Sequence, residues 1–432
     1  MRTTRLRGWI LVLTGCFALS ALAESEVVNH DWPQYRGPNR DGISTETHLV
    51  TEWPEAGPTE LFRQPIGAAF SGITVVGDRL YTAESDAEGE FALSLDAATG
   101  EQIWRQKIGD LFENSFGNGP RSTPTVVDGK VYVLSGQGVF NALEASDGKL
   151  LWQVDFKERF GAETPRFGFS ASALAIDDLL IMETHGVEDN AVVALDRQTG
   201  ELRWGTEKTH SAYSSPIQIE FGGVEQLIFL NSDDLVSVDM SGKVLWSHPF
   251  APGNGVKPAI PIFVEPDLIF VSASYDIGAL VVRMQSKEGV LSAEEVWRSR
   301  VMRNHFNASV LHEGTLYGFD NSALKAIDAA SGQQHWAKRG GLGKGSLLYA
   351  EGHLVVLSET GNLMLVEATP EAFRQKAAAR VLSGRCWTSP TLSHGRVYVR
   401  NREEIVAFDL RSMAKVDEPT KTTPEDAMEG AP

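Results

Sequence analysis

Leu95-Asp96-Ala97-Ala98-Thr99-Gly100-Glu101-Gln102-Ile103-Trp104 is followed by two near copies of itself, Leu143-Glu144-Ala145-Ser146-Asp147-Gly148-Lys149-Leu150-Leu151-Trp152 and Leu195-Asp196-Arg197-Gln198-Thr199-Gly200-Glu201-Leu202-Arg203-Trp204. Shorter copies run from Asp239 through Gly242 to Trp246 and from Asp328 through Gly332 to Trp336, so in five places a tryptophan stands four residues after a glycine. The spacing predicts a β-hairpin. One strand ends at the acidic residue, a tight turn uses the glycine's freedom to take positive φ, and a second strand carries the tryptophan back along the first.

A further alternating pair precedes each hairpin, as in Pro124-Thr125-Val126-Val127-Asp128-Gly129-Lys130-Val131-Tyr132-Val133-Leu134 and Leu392-Ser393-His394-Gly395-Arg396-Val397-Tyr398-Val399. Each unit therefore has four strands. The successive tryptophans Trp104, Trp152, Trp204, Trp246, Trp297 and Trp336 recur at the spacing of a propeller blade. Units begin near Ser71, Ser122, Ser170, Ser214, Pro258, Asn307, Gly345 and Thr388, which makes eight. The last has no tryptophan strand of its own, but Thr59-Glu60-Leu61-Phe62-Arg63-Gln64-Pro65-Ile66-Gly67 matches Gly100–Gly109 with Phe62 in the tryptophan place. The expectation is an all-β, eight-bladed propeller of four-stranded antiparallel blades over 59–412, closed by this N-terminal strand joining the last blade, since closure removes open sheet edges. Unit five carries an insertion around Ser286–Gly289, and unit seven has Pro370-Glu371-Ala372-Phe373 in place of turn and tryptophan.

The 432-residue composition, 42% hydrophobic and 22% charged, is that of a globular chain. A formal charge of −18 argues against nucleic acid, whose phosphates reward basic surfaces. With 2 Cys and no CxxC or Cys/His cluster, neither a disulfide framework nor a cysteine-held zinc, haem or iron–sulfur centre is expected.

Residues 1–23 carry Arg2, Arg5 and Arg7, then an apolar run and no acid, which reads as a signal peptide. Its end has two readings: cleavage after Ala21-Leu22-Ala23, which gives the apolar core its usual length, or lipidation at Cys16 in Leu13-Thr14-Gly15-Cys16. An exported protein, periplasmic or secreted, follows from either. No later stretch has the apolar length of a membrane helix. Residues 24–58 form a Pro/Gly-rich leader and 413–432 a polar tail expected to be disordered.

The A-x-D-x-x-T-G-x-x-x-W pattern, fullest from Ala194 to Trp204, resembles the tryptophan motif of the pyrroloquinoline-quinone-like eight-bladed propellers. That group includes periplasmic quinoprotein alcohol dehydrogenases and the BamB-type scaffold lipoproteins of outer-membrane protein assembly. The leader Asp31-Trp32-Pro33-Gln34-Tyr35-Arg36-Gly37-Pro38-Asn39-Arg40-Asp41-Gly42 is similar to the opening of secreted members without an assigned role. The dehydrogenases hold their quinone against an adjacent-cysteine disulfide and a calcium ion. Here Cys16 lies in the signal and Cys386 stands alone. The resemblance thus implies a non-catalytic, envelope-associated monomer that binds a protein partner. Its alternatives are a quinone-dependent oxidoreductase using pyrroloquinoline quinone with calcium, or a propeller binding a small anionic ligand or polysaccharide.

Propellers bind ligands where the loops entering the innermost strands ring the channel. Four such loops carry arginine: Arg121, Arg166, Arg303 next to Asn304 and His305, and Arg385 near Trp387. Converging on one mouth beside Phe169, Phe306 and Trp387, they would suit a carboxylate; alternatively they pair with nearby acids and loop carbonyls. The stretch Gly340-Gly341-Leu342-Gly343-Lys344-Gly345-Ser346 lacks the Lys-Ser/Thr and the following helix of a phosphate loop. No metal-ligand spacing and no catalytic residue is identified.

Overall fold

The computed structural model describes residues 29–206, 211–251 and 255–411, so the signal segment with Cys16 and the 413–432 tail lie outside the described residues. Eight antiparallel four-stranded sheets follow one another around a ring, one short parallel strand being added to the seventh. Blades one to seven span 74–109, 125–155, 174–205, 217–249, 262–299, 310–338 and 346–380. Blade eight is composite: three strands from 391–409 are completed on the outside by Thr59–Pro65, with Phe62 opposite Ala407 and Pro65 opposite Glu404. The closing strand is where the sequence predicts it.

The repeat motif has a double function. In Asp96-x-x-Thr99-Gly100, the Asp96 carboxylate accepts from the backbone N–H of Ala98 (2.9 Å) and Thr99 (2.8 Å) and from the Thr99 hydroxyl (3.0 Å), closing an Asx turn. Asp196, Asp239 and Asp328 do the same in their blades. The glycine that follows sits at positive φ, between +71° and +85° in all five copies. Its missing side chain makes room for an indole. A Cβ on Gly148 or on Gly200 would lie 2.7 Å from the ring of Trp104 or Trp152 of the preceding blade, and Gly242 and Gly332 face Trp204 and Trp297 in the same way. Each indole N–H then donates to a carbonyl of the following blade: Trp104 to Ala145 (2.9 Å), Trp152 to Arg197 (3.3 Å), Trp204 to Met240 (3.0 Å) and Trp336 to Thr369 (2.8 Å).

In all eight blades the outer pair of strands is bulged beside this position. In blade one Ser94 pairs with Trp104 and Leu95 with Gln102, so Ile103 is skipped. The bulge turns the tryptophan toward the neighbouring blade and leaves the skipped residue outside, which is why Ile103 and Leu151 are exposed. At the seam between blades eight and one, Phe62 covers Gly100.

The irregular units depart where their sequences do. Blade five ends in a long hairpin, Gly278–Lys287 and Val290–Ser299, with no Asx-glycine turn. Trp246 of blade four consequently donates to Gln226 of its own blade (3.1 Å). In blade seven Ala377 occupies the tryptophan register, Phe373 packs edge-on against Trp336 at 5.7 Å, and the leader's Trp53 lies against the small residues of that blade.

Gly200→Ala should lower unfolding free energy in urea by about 2–4 kcal/mol, because a methyl group adds a clash with Trp152 to the left-handed backbone cost. Gly314→Ala, at φ +75 with nothing within 4 Å of the new methyl, should lose only about 1 kcal/mol. Equal losses in the two variants would show that the indole contact is not what fixes the glycine.

Candidate functional site

The leader closes one end of the channel. Trp32 exchanges backbone hydrogen bonds with Val75 of blade one (2.8 and 3.0 Å), and Val126 of blade two donates to Pro33 (2.8 Å). Two tight turns follow, with Arg36, Gly37 and Arg40 at positive φ and Gly37 packed under the Trp32 ring. They aim two buried arginines at distant blades. Arg40 donates to the carbonyls of Ser172 (3.0 Å) and Ala173 (2.7 Å) in blade three; Arg36 donates to Ala308 (3.1 Å) and Ser309 (2.6 Å) in blade six and to Asp41 (2.7 Å). Both pairs of carbonyls lie just before an innermost strand. Burial pushes Arg40 down to about 10, which leaves it charged at neutral pH. Ile43–Ser44 then runs parallel to blade seven, and Glu46 accepts from the Gly395 N–H of blade eight (2.8 and 2.9 Å). The Trp-Pro-Gln-Tyr-Arg-Gly signature is thus a plug across the axis.

Above this floor, the loops entering the innermost strands enclose a cavity of about 370 Å³ that reaches down to Tyr35 and Arg36. Its wall is an arc of rings in successive contact: Tyr275–His305 at 5.2 Å, His305–Phe306 at 5.1 Å, Phe306–Trp387 at 4.9 Å, Trp387–Phe116 at 6.4 Å, Phe116–Phe167 and Phe167–Tyr213 at 5.9 Å each. Phe116 is 44% and Tyr275 50% exposed at the rim. Serine, threonine and asparagine side chains fill the gaps, and among the described residues no Asp or Glu lines the cavity.

Of the residues singled out from sequence, Arg121, His305, Phe306 and Trp387 line this cavity. The Arg121 guanidinium donates to the carbonyls of Gly117 (2.6 Å) and Gly119 and lies over Phe112 at 4.5 Å. Arg385 stacks over Trp387 at 4.4 Å and donates to the Phe116 carbonyl (2.6 Å), while Arg166 lies over Phe167 at 5.1 Å. Arg303 stands off the cavity, paired with Asp320 (2.6 Å) and Asp276 (3.3 Å). Asn304 is buried and spent on Phe319 and Ser309. Each of the four guanidinium groups thus has a ring, a carbonyl or a carboxylate of its own; Arg121, Arg166 and Arg385 lie over rings that line the mouth, and Arg303 stands apart on its carboxylates. Phe169 is likewise buried, packed on Phe156 and His185.

Sequence reasoning missed three parts of the site: the leader floor, Lys344 and Glu359. The Glu359 carboxylate accepts from the Trp387 indole (2.8 Å) through one oxygen and from the Lys344 backbone N–H (2.9 Å) through the other, fixing both. Gly343 was the available signal, since a Cβ there would collide with Glu359. Lys344 Nζ lies 3.0 Å from His305 Nε2, and burial together with that ammonium pushes His305 down to about 4, so the ring is neutral.

The adjacent-cysteine disulfide that would back a quinone does not fit the described residues. Cys386 is buried, with its thiol pushed up to about 12 by burial, and has no second cysteine beside it. Among the described residues no group of three His, Cys, Asp or Glu side chains comes together to hold a metal ion. No helix of the described residues is long and apolar enough to cross a membrane.

Fold and site together define a closed eight-bladed propeller with a leader-plugged channel and an aromatic mouth. Residues 88–338 and 320–417 match the family described as outer membrane protein assembly factor BamB, and the chain belongs to that family. The outer membrane protein assembly factor BamB of Burkholderia pseudomallei is 26% identical over 284 residues, 62% of this chain and 65% of that protein, so the match spans about two thirds of the relative's length. BamB from Moraxella catarrhalis superposes with a TM-score of 0.55 at 14% identity, covering 80% of this chain and 97% of its own. The quinohemoprotein alcohol dehydrogenase of Comamonas testosteroni superposes at 0.63 with 13% identity, covering 90% and 82%. At such identities these structures speak to the fold alone.

Behind Tyr213, Glu183 is buried and accepts from the Ala212 N–H, and burial pushes it from 4.5 up to about 8. A carboxyl whose folded pKa is raised favours the fold most at pH below about 4.5 and loses that advantage as pH rises toward 8. Urea unfolding should show stability falling across that window, by at most about 5 kcal/mol, and Glu183→Gln should flatten the slope. An unchanged slope in the variant would assign the pH dependence to other groups.

Proposed function

We propose that the protein is an exported, periplasmic propeller that acts as a non-catalytic scaffold, binding a protein partner in outer-membrane protein assembly as the names of its relatives state. The observation that carries this reading is the family match, which runs through nearly all the blades. The chemistry of the mouth supports it. His305 is neutral and hydrogen bonded, Cys386 is buried, and among the described residues the cavity is lined by rings, hydroxyls and three cations without an acid to serve as general base. Exposed rings at a rim are suited to a protein contact, since aromatic residues supply most interface anchoring.

The test is made in the cells that produce the protein. Deleting the gene should lower the amount of folded outer-membrane protein, and a photoreactive residue at position 116 should crosslink a named component of that assembly machinery. Normal outer-membrane protein levels in the deletion strain, with dye reduction by the purified chain on adding pyrroloquinoline quinone and calcium, would replace the scaffold with an oxidoreductase.

A further inference from the structure

We propose that the mouth cavity is a binding site for a single carboxylate carried on an aromatic or apolar body, the carboxylate at Lys344 and the body against the ring arc. This goes beyond the scaffold reading and does not rest on it, because leader and loops build the cavity whatever the outer faces of the blades contact.

Charge is the first observation. The chain holds 57 Asp and Glu against 39 Lys and Arg, yet among the described residues the charged side chains that line the cavity are Arg36, Arg121 and Lys344, with no acid. Such a lining favours an anion over a cation, although the Glu359 carboxylate stands behind it, bonded to the Lys344 backbone and the Trp387 indole.

The second observation is which cation has capacity to spare. Arg36 spends its guanidinium on three carbonyls of the plug and of blade six, and Arg121 spends its own on Gly117 and Gly119. Lys344 forms no ion pair among the described residues; its ammonium meets His305 Nε2 at 3.0 Å. An ammonium has three N–H donors. With one given to the imidazole, the others are left for a ligand. One positive charge with two donors matches one carboxylate, and Glu359 fixes the loop that presents it by holding the Lys344 backbone.

The third observation is shape. A space of about 370 Å³ walled by Phe116, Phe167, Phe306 and Trp387 takes a compact apolar group and excludes a folded domain. The same chemistry has two sources, a free aromatic acid and the C-terminal carboxylate of a polypeptide ending in an aromatic residue.

Calorimetric titration of the purified chain separates these. Phenylpropionate should bind at least tenfold more tightly than phenylpropionamide. Lys344→Gln, with an unchanged melting temperature, should abolish that ratio; Lys344→Arg should keep it; Phe116→Ala should weaken acid and amide alike. A short peptide ending in phenylalanine, tested as free acid and as amide, identifies the source: tighter binding of the peptide acid than of phenylpropionate assigns a chain end, and binding of phenylpropionate alone assigns a small acid. Equal affinity for acid and amide, survival of the acid preference in Lys344→Gln, or no saturable binding of either probe at millimolar concentration would overturn the proposal. None of these results bears on the crosslinking at position 116, so the two readings fail separately.

Discussion

The contact between a tryptophan and the glycine of the next blade is the constraint on which the ring depends. Strand pairing holds each blade together, but adjoining blades share no strand pairing and meet face to face. Their spacing is therefore set by what fits between them. A flat indole against a bare backbone gives one repeatable thickness, and its N–H, bonded to a carbonyl of the neighbour, fixes the angle as well as the distance. The Asx turn holds the glycine where the ring needs it, and the bulge turns the ring toward it. Four such contacts, with Phe62 on Gly100 at the seam, set the spacing through most of the ring.

The leader is the second constraint. Each innermost strand is only three to five residues long, so the carbonyls that precede it face the axis without a neighbouring strand. Arg36 and Arg40 supply donors to two such pairs, on blades six and three, and so brace the ring from inside while giving the mouth a floor. Buried guanidinium groups are costly to desolvate, and here the terminal nitrogens of both land on backbone oxygens, while each Nε finds no partner among the described residues. Arg400 makes an analogous brace at the seam, donating from blade eight to Thr82 (2.9 Å) and Ala83 (2.8 Å) of blade one.

The fold was legible because it is periodic: the Asp-x-x-Thr-Gly-x-x-x-Trp spacing fixes one hairpin, and repetition fixes the rest. Even the substitute at the seam, Phe62, could be read by alignment to Trp104. The mouth has no period. Arg121, Arg303 and Arg385 look alike along the chain, and only the folded arrangement separates a guanidinium paired with Asp320 from one lying on Phe112 or Trp387. Lys344 sat in a glycine-rich stretch whose resemblance to a phosphate loop fails, and its local sequence gives no sign of the channel it faces. Arg36 lies 272 residues from the Ala308 carbonyl it braces, beyond the reach of any local pattern.

The same long connections impose an order of events on folding. Asp31 meets His394, and Thr59 pairs with Asp409, so the first part of the chain cannot reach its place until the last part exists. Such pairings are slow to form, because loop-closure entropy is lost before the contact is gained. Until then blade one lacks its neighbour and blade eight its outer strand, leaving edges open to pairing with other chains. The interval between the arrival of the leader and the arrival of blade eight is when the molecule is most prone to aggregate, and a holding factor would matter most there.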